Sequence, residues 1–160
     1  MLSIRLICVG KLKERFFAEA VAEYTKRLSA FCRLELIELP EERLSEKPSA
    51  AEIEAALNRE AELIEKKILK DGTLVCLCVE GEQMESEAFA GLLTRTESGG
   101  RPRISFVIGG SFGLSGKLKD RADLRLSMSK MTFPHHLARV MLLEQIYRGF
   151  QIKEGSRYHK

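Results

Sequence analysis

The chain reads as an α/β protein, a parallel sheet flanked by helices. Two observations predict this. Strand-like apolar runs alternate with amphipathic helical stretches along the 160 residues. The inner runs, TLVCLCV (73–79) and RISFVIGG (103–110), are apolar almost throughout, as expected of strands covered on both faces. No internal repeat, low-complexity tract or linker interrupts the order, so residues 1–160 are expected to form a single domain.

The elements follow in turn. LSIRLICV (Leu2 to Val9) is a β-rich run ended by Gly10. Residues 13–31 then show helical spacing, with Phe16 or Phe17, Ala20, Tyr24, Leu28 and Phe31 on one stripe. LELIEL (Leu34 to Leu39) alternates apolar with acidic, a half-exposed strand stopped by Pro40, and EERLSEKP is a loop. Ser49 and Glu52 have capping-box spacing and open a long helix to about Lys70, ended by Asp71-Gly72. After the 73–79 strand, Ser86 to Thr96 is a shorter helix and SGGRP a turn. The 103–110 strand leads to a brief helix over Gly116 to Arg121, and DLRLSMS begins as a strand. The last helix spans Pro134 to Phe150, with Pro134 as its first residue and Thr132 or Phe133 near the N-cap. On it, Glu144 is expected to pair with Arg148, four residues on.

Composition narrows the function classes. A 44% hydrophobic content suffices for a core, and no apolar run approaches the roughly 20 residues of a membrane helix. The N-terminus lacks the shape of a signal peptide, so a cytoplasmic protein is expected. Cys8, Cys32, Cys76 and Cys78 read as small hydrophobes in strands, and no Cys or His spacing suggests a metal site. Net charge is only +3, but Lys117 to Lys160 holds ten Lys/Arg against four Asp/Glu. That third suits phosphate contact or a solvated face equally well.

Ligands in such folds sit beyond the C-terminal ends of the strands. Three loops occupy that position: Leu77 to Gly81, Ile108 to Gly113, and Ser127 to Phe133. A P-loop is excluded, because Gly116-Lys117 would need Gly at Ser111 and a hydroxyl at Leu118. Gly109, Gly110 and Gly113 fit either a tight turn or a close backbone approach to a ligand. The third loop offers hydroxyls at Ser127, Ser129 and Thr132, apolar surface at Met128, Met131 and Phe133, and one charge, Lys130. That mixture suits a flat heterocycle rather than a triphosphate.

FVIGGSFGLS (106–115), LSMSKMTFPHHLARVMLLEQIYRGF (126–150) and the terminal RYHK resemble the RlmH family of SPOUT-class methyltransferases. VGKLKE, EYTKRL and LIELP match it too, so the similarity spans the chain. The resemblance implies N3-methylation of a pseudouridine in large-subunit (23S) ribosomal RNA, on the assembled 70S ribosome, with S-adenosyl-L-methionine as donor. It implies a deep C-terminal trefoil knot and a homodimer whose partner completes each active site. By motif match the donor is held by Leu77, Gly109, Met128, Ser129, Lys130, Met131, Thr132 and Phe133. Arg139, near the third loop, can orient an imide oxygen or stabilise its charge. Tyr158 and His159 form the family's Tyr-His ending, and His159 can accept a proton near neutral pH. The alternative is a non-catalytic nucleotide-binding or ribosome-associated α/β module.

Overall fold

A computed structural model describes residues 1–160. Five strands, β1 (Leu2–Val9), β2 (Cys32–Leu39), β3 (Thr73–Glu82), β4 (Arg103–Ile108) and β5 (Leu124–Leu126), form one sheet in the order β2-β1-β4-β3-β5. Every adjacent pair is parallel. Five helices alternate with them: α1 (Arg15–Leu28), α2 (Ala50–Glu65), α3 (Ser86–Ser98), α4 (Gly116–Arg121) and α5 (His135–Lys153).

Strand alternation divides the core. Leu2, Ile4, Leu6 and Cys8 of β1, with Ile104, Phe106 and Ile108 of β4, face α1, α3 and α5. Ile7, Val9 and Val107 turn the other way, onto Ile64 of α2 and Leu118 of α4. On the larger side, α5 packs through Leu142, Leu143, Ile146 and Phe150. Gly149 lets α3 come close: a Cβ there would lie 2.8 Å from Leu93 Cδ1. No helix is long and apolar enough to cross a membrane.

The expected element order holds, with shifted ends. The capping box is present, Ser49 accepting from Glu52 N at 3.1 Å while the Glu52 carboxylate accepts from Ser49 N at 3.2 Å. The helix it opens stops at Glu65 rather than near Lys70. There the Arg5 guanidinium donates to Lys67 O at 2.7 Å, tying the following turn to β1. β2 begins two residues early, because Cys32 and Arg33 pair with Leu2 and Ser3. β3 runs on to Glu82, which pairs with Leu126 after a register shift. Its coverage on both faces ends at Cys76: Leu77 and Cys78 are half-buried and Val79 is exposed. The strand has outrun its pairing with β4, and its end is free to line a site. Pro134 sits at the N-cap of α5, one position earlier than expected; its ring has no N–H to leave unpaired, and its carbonyl accepts from Ala138 N at 2.9 Å.

Candidate active site

The three loops enclose one cavity of 610 Å³ at the C-terminal end of the sheet. Leu77 to Glu80 form one wall, Ile108 to Leu114 a second, and Met128, Ser129 and Met131 to His135 a third. Each wall has a local cause. The first is the overrun of β3. The second is a glycine turn closed by Gly113 N–H donating to Gly110 O at 3.1 Å. Any Cβ at Gly109 would overlap the Gly113 carbonyl, so the turn requires glycine there. The third wall is shaped by its own hydroxyls. Ser127, only 4% exposed, donates to Ser129 O at 2.9 Å, and Ser129 Oγ accepts from Met131 N at 3.0 Å. These hydroxyls set the loop's curvature instead of lying free for a ligand.

The donor set defines what fits. The volume lies within the usual range for small-molecule sites, and most of the lining is apolar. The one wall cation, Lys119, is already bonded to Glu80 at 2.6 Å, which holds that carboxyl below its ordinary range. A polyphosphate would find no free positive charge. A nucleoside with a compact polar tail suits the wall, and S-adenosyl-L-methionine has that form. No group of three or more His, Cys, Asp or Glu side chains is arranged to hold a metal ion.

A second cavity of 450 Å³ lies against α5, lined by Tyr24, Met84, Phe89, Met141, Glu144 and Gln145 among others. Leu126 and Met128 belong to both cavities and form the partition. The C-terminal tail is tied to one residue of this lining, Glu144. Tyr158 Oη donates to Glu144 Oε1 at 3.1 Å, and its ring stacks edge-on to Tyr147 and under the Arg148 guanidinium. Burial, then the Glu144 bond, pushes the Tyr158 phenol up to about 12, so it remains a donor. His159 Nδ1 lies 3.1 Å from Arg148 Nη1, and Nε2 lies 2.8 Å from Glu87 Oε1. Arginine only donates, so Nδ1 accepts and Nε2 carries the proton given to Glu87.

Arg139 takes a different path. It is 3% exposed and donates to Glu38 Oε2 at 2.6 Å and to Gly10 O at 3.2 Å, while Nε has no partner. It clamps the first turns of α5 to the ends of β1 and β2. One turn earlier, His135 lines the larger cavity. Burial, then the neighbouring His136, lowers its pKa, so the imidazole is neutral at pH 7.

A family model described as "Predicted SPOUT methyltransferase" matches residues 2–159. The chain belongs to the SPOUT methyltransferase family. "Ribosomal RNA large subunit methyltransferase H" of Streptococcus pyogenes serotype M5 (strain Manfredo) is 46% identical, over 99% of this chain and all of the relative. The same-named protein of Streptococcus equi subsp. zooepidemicus (strain MGCS10565) matches equally. Among solved structures, a "probable methylase family protein" from Haemophilus influenzae Rd KW20 superposes with a TM-score of 0.54 at 12% identity, over 98% of this chain and 70% of that one. A "Probable Methyltransferase" from Bordetella pertussis Tohama I gives 0.57 at 15%, over 91% and 93%. At such identities these two speak for the fold.

In this SPOUT protein, Leu77, Gly109, Met128, Ser129, Met131, Thr132 and Phe133 share one cavity wall system, whereas Lys130 is exposed and lies off it. Tyr158 and His159 come together through Glu144 and Arg148, the pair expected from i, i+4 spacing. Arg139 is apart from both groups. His135 also lines this cavity, and that place has no local signature in the sequence, because it depends on how α5 meets the glycine turn.

Proposed function

We propose that this protein transfers a methyl group from S-adenosyl-L-methionine to N3 of a pseudouridine in large-subunit ribosomal RNA, on the assembled 70S ribosome. Residues 1–160 act as one cytoplasmic domain whose C-terminal loops form a trefoil knot, and a second copy of the chain completes each site. The reading is carried by one observation: a single cavity gathers the three loops that the family resemblance assigns to the donor. The near-full-length relatives named for large-subunit ribosomal RNA methylation support the substrate.

When bound, the donor supplies a methyl group on a positively charged sulfur. The chain's residues align, shield and handle a proton. Leu77, the glycine turn and the Met128–Phe133 loop give the donor apolar walls and backbone partners, and Phe112 and Met131 form an adaptable rim that excludes water. Methylation at N3 requires that nitrogen to release its proton as the new N–C bond forms. His135, neutral on the wall, can accept it; so can His159, once its Nδ1 is released from Arg148. Tyr158, kept protonated, can orient an acceptor oxygen once its hydroxyl is released from Glu144. Arg139 acts by holding the first turns of α5. The basic C-terminal third meets phosphate.

The deciding experiment incubates the protein with methyl-labelled donor and 70S ribosomes from cells lacking this gene, then maps the label. One label on N3 of a large-subunit pseudouridine is expected, with far less on protein-free RNA. Donor binding without labelling of any ribosomal preparation would overturn the reading in favour of a non-catalytic ribosome-associated module.

A further inference from the structure

We propose that Glu41 is a positioning residue for the donor cavity, setting the shape of the wall built from the glycine turn 109–113. The proposal rests on reading that cavity as the donor site. Glu41 lies between β2 and α2 and does not itself line the cavity. Its Oε1 accepts from Ser111 N at 2.7 Å. The same carboxylate is seated on the adjoining glycine: a Cβ at Gly110 would lie 2.5 Å from Oε1 and 2.7 Å from the carboxyl carbon. Its other oxygen faces Gly10, where a Cβ would stand 3.8 Å from Oε2 and 3.5 Å from His135 Nε2. One carboxylate thus grips the turn and stands beside the imidazole, and both line the cavity.

The segment carrying Glu41 is held in its turn. Glu60 of α2 is 5% exposed and accepts from Glu42 N at 2.8 Å. Burial pushes this carboxyl above its ordinary range, so keeping it there has a cost that apolar packing would avoid. What it secures is the backbone next to Glu41. Glu42 is further paired with Arg59 at 3.4 Å. The contacts therefore run from α2 through Glu42 and Glu41 to Ser111 and the cavity wall. The turn needs such a tether, because Ser111, Phe112 and Gly113 are all exposed.

The test uses full-length protein with the substitutions Glu41→Ala, Glu41→Gln, Gly110→Ala and the Glu41→Ala/Gly110→Ala pair. Amide exchange at Ser111, without ligand, reads the tether; titration with S-adenosylhomocysteine reads the cavity. Glu41→Ala is expected to speed Ser111 exchange and weaken binding roughly fivefold, the scale of one partly exposed charge-assisted hydrogen bond. In methyl transfer the KM for the donor rises by the same factor, kcat stays within about twofold, and Tm is unchanged. Glu41→Gln, which keeps an acceptor oxygen, restores most of the affinity. Gly110→Ala weakens binding alone but adds little to Glu41→Ala, because the obstructing carboxylate is gone. Unchanged Ser111 exchange in Glu41→Ala, or additive losses in the pair, would overturn the proposal. Failure of the unsubstituted protein to bind would overturn the donor reading itself, while the exchange result still reports the tether.

Discussion

The three-loop cavity and the C-terminal tail are held by opposite means. The cavity is shaped mainly by strand ends, a glycine turn and a serine turn, with two charged contacts, Glu41 on Ser111 N and Lys119 on Glu80. The tail is held by charge: Tyr158 and His159 rest on Glu144, Arg148 and Glu87, whose side chains are 20%, 26% and 60% exposed. Hydrogen bonds between backbone groups and neutral hydroxyls, the larger part of those walls, do not respond to salt or to protonation. Ion pairs at such exposure contribute little and are screened. The cavity is therefore preformed within one chain, whereas the tail rests in a conformation that a competing contact can replace at small cost.

The pair Arg139–Glu38 sharpens this contrast, because a buried guanidinium there meets a carboxylate that is 39% exposed, and the largest effect is expected at this pair. Glu38→Ala should cost about 2 kcal/mol in chemical denaturation, because it leaves the buried guanidinium with Gly10 O as its one remaining partner. Arg139→Met should cost clearly less, since no charge is stranded. Equal losses would mean that packing, rather than charge, holds the first turns of α5. Burial raises the Glu38 carboxyl, but the Leu12 amide and Arg139 outweigh it, and the group titrates below its ordinary range. Its stabilisation is thus full above the unfolded value, about 4.3, and lost as pH falls through the lower folded one.

Tyr158→Phe tests the tail next. Methyl transfer to ribosomes should fall about tenfold, while S-adenosylhomocysteine affinity stays within about twofold and stability within about 0.5 kcal/mol. A parallel loss of donor affinity would show that the two regions are not held independently. The smallest effect belongs to His135. Its folded pKa is depressed, so the unfolded chain takes up the proton first as pH falls. Stability should be full above about 6.5 and decline below it, toward the lower folded value. Urea midpoints at pH 7.5 and 5.5 check this: the decline should shrink in His135→Gln.

Much of this was legible in the sequence because the signals are local. Alternation gave the strands, the Ser49–Glu52 spacing gave a helix start, and i, i+4 spacing gave Glu144–Arg148. The three loops that line the cavity were legible because parallel α/β sheets leave a crevice beyond the C-terminal ends of their strands. What escaped depends on distant pairing. Arg139 and Glu38 are 101 residues apart, Glu41 and Ser111 are 70, and His159 and Glu87 are 72. The overrun of β3 past its coverage needed the length of β4 and the position of β5 to become visible.

Three cysteines, on neighbouring or near-neighbouring strands, give the sheet its own reporters. Cys8 on β1, Cys32 on β2 and Cys76 on β3 are at most 3% exposed, and burial pushes each thiol up to about 12. A thiol both hidden and protonated is inert to alkylating reagents until its strand opens. The rate at which each cysteine is labelled therefore times the local opening of its own strand, from the edge at β2 inward, without any introduced probe.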